Sequence, residues 1–428
     1  MPVIPQENTL DGSLGLLLDG NLYITRRCDN FESDIFQTRL LLRTTYCIRG
    51  EEAARVFYTQ GRLTRRGAIP PTVLKLLQDK GSVATLDDKA HHWRKQMMMS
   101  LMTPERIQQL VDLVEERWCH RLSVWQAMED VDLFDEVQHI LCGAVCEWCG
   151  IAVSDRDLDE RTREIAAMID GAGAVGWRNW RGILLRRRTE KWIEGKINAV
   201  RTLTFGLDQP SPLQVIATHL DDGGNRLSSE VAAIEMLNLI RPTVAVARFI
   251  LFAAIALHEY PETRQKIKNG DAGYLEAFVQ EVRRFYPFFP FIGGIVRQAF
   301  TWQDCSFPVG ARVMLDVYGT NHDARIWQDP DRFDPERFIG RNDSPYSFIP
   351  QGGGDYLTNH RCAGEALTIA LMKRCIDLLV NGMQYEVVAE NTEIDMRRMP
   401  ALPKNPLFIR HVQPDMATRV AQKMRMKA

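Results

Sequence analysis

The 428-residue chain predicts a mainly α fold: one large helical domain carrying small β-sheets at its periphery. Three observations lead there. Apolar residues recur three and four apart over most of the length, the spacing of helices with one buried face. Strand-like runs are short and confined to residues 21–50, 311–320 and 383–414. No internal repeat or low-complexity linker divides the sequence, so residues 1–428 read as a single domain.

Taken in order, NLYIT (21–25) and TYCIRG (45–50) read as strands. Helical spacing then governs PERIQQLVDLVEERWCHRLSVWQAM (104–128), DEVQHILCGAVCEWCGIAV (135–153) and VGWRNWRGILLRRRTEKWIEGK (175–196). It continues in SSEVAAIEMLNLI (228–240), VARFILFAAIALHE (246–259) and GYLEAFVQEVRRFY (273–286). Strands return at ARVMLDVYGT (311–320), MQYEVVAE (383–390) and PLFIRHVQP (406–414), and the basic residues of 415–428 read as a loose tail.

Hydrophobic residues make up 45% and charged residues 25%, which allows a core large enough to enclose a bulky cofactor. A net charge of -2 gives no global field toward nucleic acid or an anionic membrane. The N-terminus lacks a basic leader region, and no run is read as long and uncharged enough to span a bilayer. A cytoplasmic protein without a stable membrane anchor and without a nucleic-acid partner is expected. There are nine cysteines, an odd and scattered set, as expected of thiols in a reducing compartment. Cys142, Cys146 and Cys149 have the C-x3-C-x2-C spacing of an iron–sulfur set. Their segment is an apolar helix, however, so packed thiols are the expected state. The arginines and tryptophans of 175–196 read as a solvated basic helix face in a chain so nearly neutral. Contact with nucleic acid or a membrane surface, or a cationic entrance for acidic substrates, stay open for that segment.

Cys362 differs from the other cysteines. It follows Gly352–Gly354 in FIPQGGGDYLTNHRCAGE (348–365), and glycines let the backbone come close to a flat group. Gly364 and a strongly helical run come next. A thiolate at a helix start, beside His360 and Arg361, is favoured by amide dipoles and positive charge, as a metal ligand or a nucleophile.

This loop resembles that of the cytochrome P-450 superfamily, in Phe348, the glycine turn, His360, Cys362 and Gly364. Its extra length resembles the bacterial fatty-acid peroxygenase branch. Glu281 and Arg284 look like the family's Glu-x-x-Arg pair, and FDPERF (333–338) like the loop that completes it through Arg337. The resemblance implies the cytochrome P-450 fold, with heme b (iron protoporphyrin IX) between distal and proximal helices and Cys362 as axial iron ligand. His91 and Lys95, one helical turn apart, fall where the family contacts a heme propionate, and Lys95 stands where Arg is usual. His360, Arg361, Gly353 and Gly364 complete the expected cofactor contacts.

The central helix LNLIRPTVAVARFILF lacks the acid–alcohol pair of oxygen-activating relatives and carries Arg241 and Pro242 there. No residue three or four away from Arg241 is a carboxylate. An unpaired buried guanidinium costs several kcal/mol and cannot shed its proton, so an outside anion is expected, and a substrate carboxylate suits its fork. Pro242 removes the N–H that would bond Asn238 O and costs about 3 kcal/mol relative to Ala, with a kink that would aim Arg241.

The Arg–Pro pair is the mark of the peroxygenase branch. The implied function is hydrogen-peroxide-dependent oxidation of fatty acids near the carboxyl group. The carboxylate held by Arg241 would be general acid–base, and no redox partner would be needed. Phe288 and Phe289 are expected to line the tail pocket. Ala84, aligned with a polar position of the family, favours α/β-hydroxylation over decarboxylation to a terminal alkene. The competing readings are a conventional reductase-dependent heme-thiolate monooxygenase and a non-catalytic heme or fatty-acid sensor.

Overall fold

A computed structural model describes residues 4–202, 209–271 and 273–415; most of the expected basic tail lies outside them. Helices dominate, and side-chain caps set their starts. Thr103 caps Pro104–Trp125, Asp132 caps Leu133–Trp148, Ser154 caps Asp155–Gly171 and Ser228 caps Ser229–Ala245. These helices pack with Trp177–Arg201, Ala247–Glu259 and Glu365–Asp377 around one large apolar core. Cys142, Cys146 and Cys149 are buried in that core as ordinary packed thiols.

A five-stranded sheet lies to one side of the helices. Ile35–Leu40 pairs antiparallel with Arg43–Ile48, which runs parallel to Arg312–Asp316. Phe291–Val296 and the short Leu63–Thr64 complete it. Met383–Val388, Phe408–Pro414 and Val131–Asp132 form a second sheet.

Four expectations need correction. NLYIT is helical: it forms a short 3-10 turn and the start of Tyr23–Asn30, where Tyr23, Ile24 and Cys28 share a buried face. A five-residue run is too short to separate a period of two from one of 3.6. Within 311–320 the strand stops at Asp316, whose carboxylate caps Val317–Asn321 by accepting from Gly319 N–H at 2.8 Å. Ser229–Glu259 is long and apolar enough to cross a bilayer, contrary to the reading above, but 94% of its most apolar window is buried inside the fold. The break in this helix falls at Val246 rather than at Pro242. The helix runs through Pro242, and the break is marked by Val246 N–H, which bonds Thr243 O at 3.2 Å in place of the Pro242 carbonyl.

Asp316 provides a pH test. Burial raises its carboxyl from 3.8 to about 6, against hydrogen bonds from Gly319 and Thr25 that lower it. The native state therefore keeps this proton over a window in which the unfolded chain has released it. That contribution to stability is complete below about pH 4 and is lost by about pH 6, worth up to about 3 kcal/mol. Asp316→Asn should gain stability relative to the parent as pH rises through this window. Denaturant titrations of both proteins at the two ends measure it, and a pH-independent difference would refute it.

Candidate active site

The loop before Glu365–Asp377 presents Cys362. Gly352 and Gly354 have φ of 92° and 80°, which a side chain would resist. A Cβ on Gly353 would lie 2.9 Å from Pro345 O, so this glycine serves the loop's own packing. Cys362 N–H donates to Gln351 O at 3.0 Å, and Gln351 Nε2 lies 3.7 Å from the half-buried Sγ. Gly364, at the start of the helix, leaves space beside the sulfur.

His91, Lys95 and His360 come together as expected. The His91 and His360 rings lie 3.9 Å apart, and Lys95 Nζ donates to Asn359 O at 3.2 Å and to Arg361 O. Burial, then the Lys95 charge, pushes His91 down to about 4. Arg65, which the sequence reading missed, acts electrostatically on both imidazoles from a half-buried position, donating to Gly293 O at 2.8 Å. Among the described residues none of these four groups has an ion pair. Buried Lys95 and half-buried Arg65 beside two imidazoles, without a protein carboxylate, suit the acidic edge of a cofactor. Arg361 does not join them. Its Nε donates to Glu365 at 2.6 Å, and Arg283 holds the same carboxylate.

Glu281 and Arg284 form a two-bond fork, both bonds 2.7 Å, with Arg337 Nε at 3.3 Å, as the sequence expectation had it.

Arg241 is buried on Ser229–Ala245. Its Nη2 donates to Leu77 O at the C-terminal end of Pro71–Leu77, and its Nε has no partner. No Asp or Glu among the described residues forms an ion pair with it. Burial first, then the Arg186 guanidinium, pushes it down to about 9, while the Cys362 sulfur acts in the opposite sense from across the interior. Arg186 Nη1 donates to Leu76 O at 2.9 Å and Asn238 Nδ2 to Gln78 O at 2.9 Å. Three neighbouring carbonyls at one helix end thus receive side chains from two other helices, which suits the negative end of the helix dipole. Phe288 stacks on Phe249 at 4.9 Å, and Phe289 meets Phe288 edge-on at 4.7 Å; both phenylalanines stay partly open.

The cytochrome P450 family profile matches residues 269–410. The structure of cytochrome P450EX alpha (CYP152N1) with myristic acid superposes with a TM-score of 0.93 at 40% identity, covering 97% of this chain and 100% of that one. The chain is a cytochrome P450 of the CYP152 family. A variant of cytochrome P450 OleT with arachidonic acid gives a TM-score of 0.93 at 33% identity, over 97% of this chain and 99% of that one. Cytochrome P450 138 of Mycobacterium bovis is 23% identical over 70% of this chain and 71% of its own length.

As a cytochrome P450 the chain has heme as its cofactor. A cleft of about 600 Å³, lined by Arg283, Tyr356, Arg361 and Glu365 among others, touches none of Arg241, Ala84 or Phe288. It therefore lies apart from Arg241. A second interior ion pair went unread in the sequence. Glu235, fully buried, accepts from Arg94 Nη1 at 2.7 Å and from Val83 N–H at 2.8 Å. It thereby ties the turn bearing half-buried Ala84, and the helix bearing His91 and Lys95, to the helix of Arg241. Glu235→Gln should destabilise this P450 by about 2 to 3 kcal/mol, because Arg94 keeps its charge without a counter-ion. Adding Arg94→Met should recover most of that. Thermal denaturation of both variants decides the point, and an equally unstable double variant would count against it.

Proposed function

We propose that this P450 oxidises fatty acids with hydrogen peroxide near the carboxyl group. One observation carries the reading: a buried guanidinium with an unpartnered Nε and only a backbone carbonyl as partner. A carboxylate supplies the missing charge and both lone-pair directions that the fork requires.

Cys362 would hold the heme through its sulfur, and His91, Lys95, His360 and Arg65 would hold its acidic edge. Heme, when bound, supplies the redox chemistry that transfers one peroxide oxygen to a C–H bond. Arg241 fixes the substrate carboxylate, so the carbons beside that carboxylate, α and β, are the ones presented for reaction. Pro242 offers no side-chain proton. The carboxylate on Arg241 therefore holds and returns the proton that peroxide cleavage requires. Phe288 and Phe249 give the tail an apolar wall. Ala84 places no proton donor beside the product carbon, which favours hydroxylation. Overall, fatty acid and hydrogen peroxide give hydroxy fatty acid and water, and no redox partner is needed.

The test is incubation of the holoenzyme with a fatty acid and hydrogen peroxide, without reductase or reduced nicotinamide, with products identified by mass spectrometry. α- or β-hydroxy acids are expected. Product formed only with reductase and oxygen would replace this reading with a conventional monooxygenase, and heme spectral changes without product would replace it with a sensor.

A further inference from the structure

The segment 175–196 has a face that the reaction does not use. Trp177, Trp180 and Leu184, spaced three and four apart on Trp177–Arg201, are 76%, 70% and 64% exposed. Arg181, Arg187 and Lys191 are exposed on the same side of the helix, and among the described residues none of the three has an ion pair. Between 177 and 191 there are six basic residues and one acidic residue, in a chain whose net charge is -2. Large apolar surface lost to water, ringed by unpaired cations, is a concentrated local feature rather than a property of the whole protein.

A second exposed apolar face lies close by. Leu14, Leu17 and Leu18 project from Ser13–Asp19, a helix with no buried residue. The two faces flank one segment: Gly20, directly after the first helix, packs on Met396 and Arg397, and Gly173, just before the tryptophans, packs on Met399.

The inner side of Trp177–Arg201 meets the carboxylate site. A Cβ on Gly182 would come within 3.1 Å of the Leu76 side chain, and Arg186 donates to Leu76 O. The next carbonyl, Leu77 O, is the partner of Arg241. The tryptophans thus stand one helix layer above the guanidinium.

We propose that this face docks reversibly on anionic phospholipid bilayers. Tryptophan and leucine enter the headgroup–acyl boundary while the arginines and lysine meet lipid phosphates, and neither suffices alone. Docking sets this face, whose helix meets the Leu76 and Leu77 carbonyls beside Arg241, against the phase into which long-chain fatty acids partition. That the cargo is a fatty acid rests on the function proposed above; the docking itself does not.

Flotation of the holoenzyme with phosphatidylcholine vesicles containing roughly one-fifth phosphatidylglycerol tests this. The parent should float with these vesicles at low ionic strength, should be released by salt, and should leave pure phosphatidylcholine vesicles largely unbound. Trp177→Ser/Trp180→Ser should lower the bound fraction about tenfold, and Arg181→Glu/Arg187→Glu likewise. Heme content and peroxide turnover of a dissolved short-chain fatty acid should match the parent in both. The proposal is overturned if the parent does not float with anionic vesicles, if either variant floats as the parent does, or if the basic face retains single-stranded RNA but not vesicles. Vesicle binding without turnover would overturn the proposed function and leave the docking standing.

Discussion

Arg241→Ala should lower peroxide-driven turnover of fatty acids by roughly a thousandfold or more while leaving the heme spectrum in place. Two losses combine. The carboxylate loses its charge-assisted fork, so the carbons beside it are no longer held for reaction. The acid–base group is lost too, since the substrate itself carries it and Pro242 offers no substitute. A residue that merely supports the fold would announce itself through stability, and here the sign is opposite. The guanidinium is buried with Nε unpartnered and faces the Arg186 charge. Removing it relieves a desolvation cost, so the melting temperature should hold or rise. Fatty acid should raise the melting temperature of the parent by linkage and leave that of Arg241→Ala nearly unchanged. Arg241→Lys should recover part of the turnover, as a point charge without the fork. A variant that melts earlier yet turns over normally would show that Arg241 serves the fold and not the substrate.

Arg241 was readable in the sequence because helical spacing is enough to show that no neighbour on its own helix neutralises it. Cys362 was readable because, unlike the other cysteines, it follows a run of three glycines and stands just before a strong helix. What the sequence concealed is mostly tertiary. Leu77 O, the actual partner of Arg241, is a backbone atom 164 residues away, and no side chain marks it. Arg65 and Glu235 gain their roles only when separate elements meet, since a lone Arg in a loop or Glu on a helix is unremarkable in isolation. Arg361 is a related case. Being next to Cys362 implied cofactor contact, yet Glu365 is one helical turn further on and takes its side chain at 2.6 Å. The peripheral strands from 383 onward were legible through their β-branched alternation, whereas NLYIT lacked the length to reveal its helix.

Arg284→Ala should cost more stability than any other change considered, enough to prevent recovery of heme-loaded protein. Its two bonds to Glu281 are accompanied by bonds to the carbonyls of Asn321, Pro330 and Arg332 at 3.1, 2.9 and 3.2 Å. Arg337 adds Gln328 O at 2.6 Å, and Glu281 also accepts Asp334 N–H at 2.8 Å. One guanidinium therefore binds Tyr274–Phe285 to the 321–334 chain, and Asn321 Oδ1 in turn receives Ile349 N–H at 2.9 Å, at the root of the Cys362 loop. Deleting it takes the two-bond partner from a fully buried carboxylate, leaving it Arg337 and Asp334 N–H, and strands several carbonyls, a cost of about 5 kcal/mol or more, comparable with the whole stability of a typical domain. The contrast with Arg94 and Glu235 sharpens the test. There, removing both charges should recover most of the loss, because an amide at 235 still accepts Val83 N–H and Arg94 otherwise meets only Gly81 O at 3.5 Å. Here Glu281→Leu/Arg284→Met should stay close to the single variant, since neutralising the pair leaves the carbonyls without donors. Heme content per chain and limited proteolysis within 321–350 report the outcome. A double variant that regained parental heme loading would show that the charge pair matters and the carbonyl network does not.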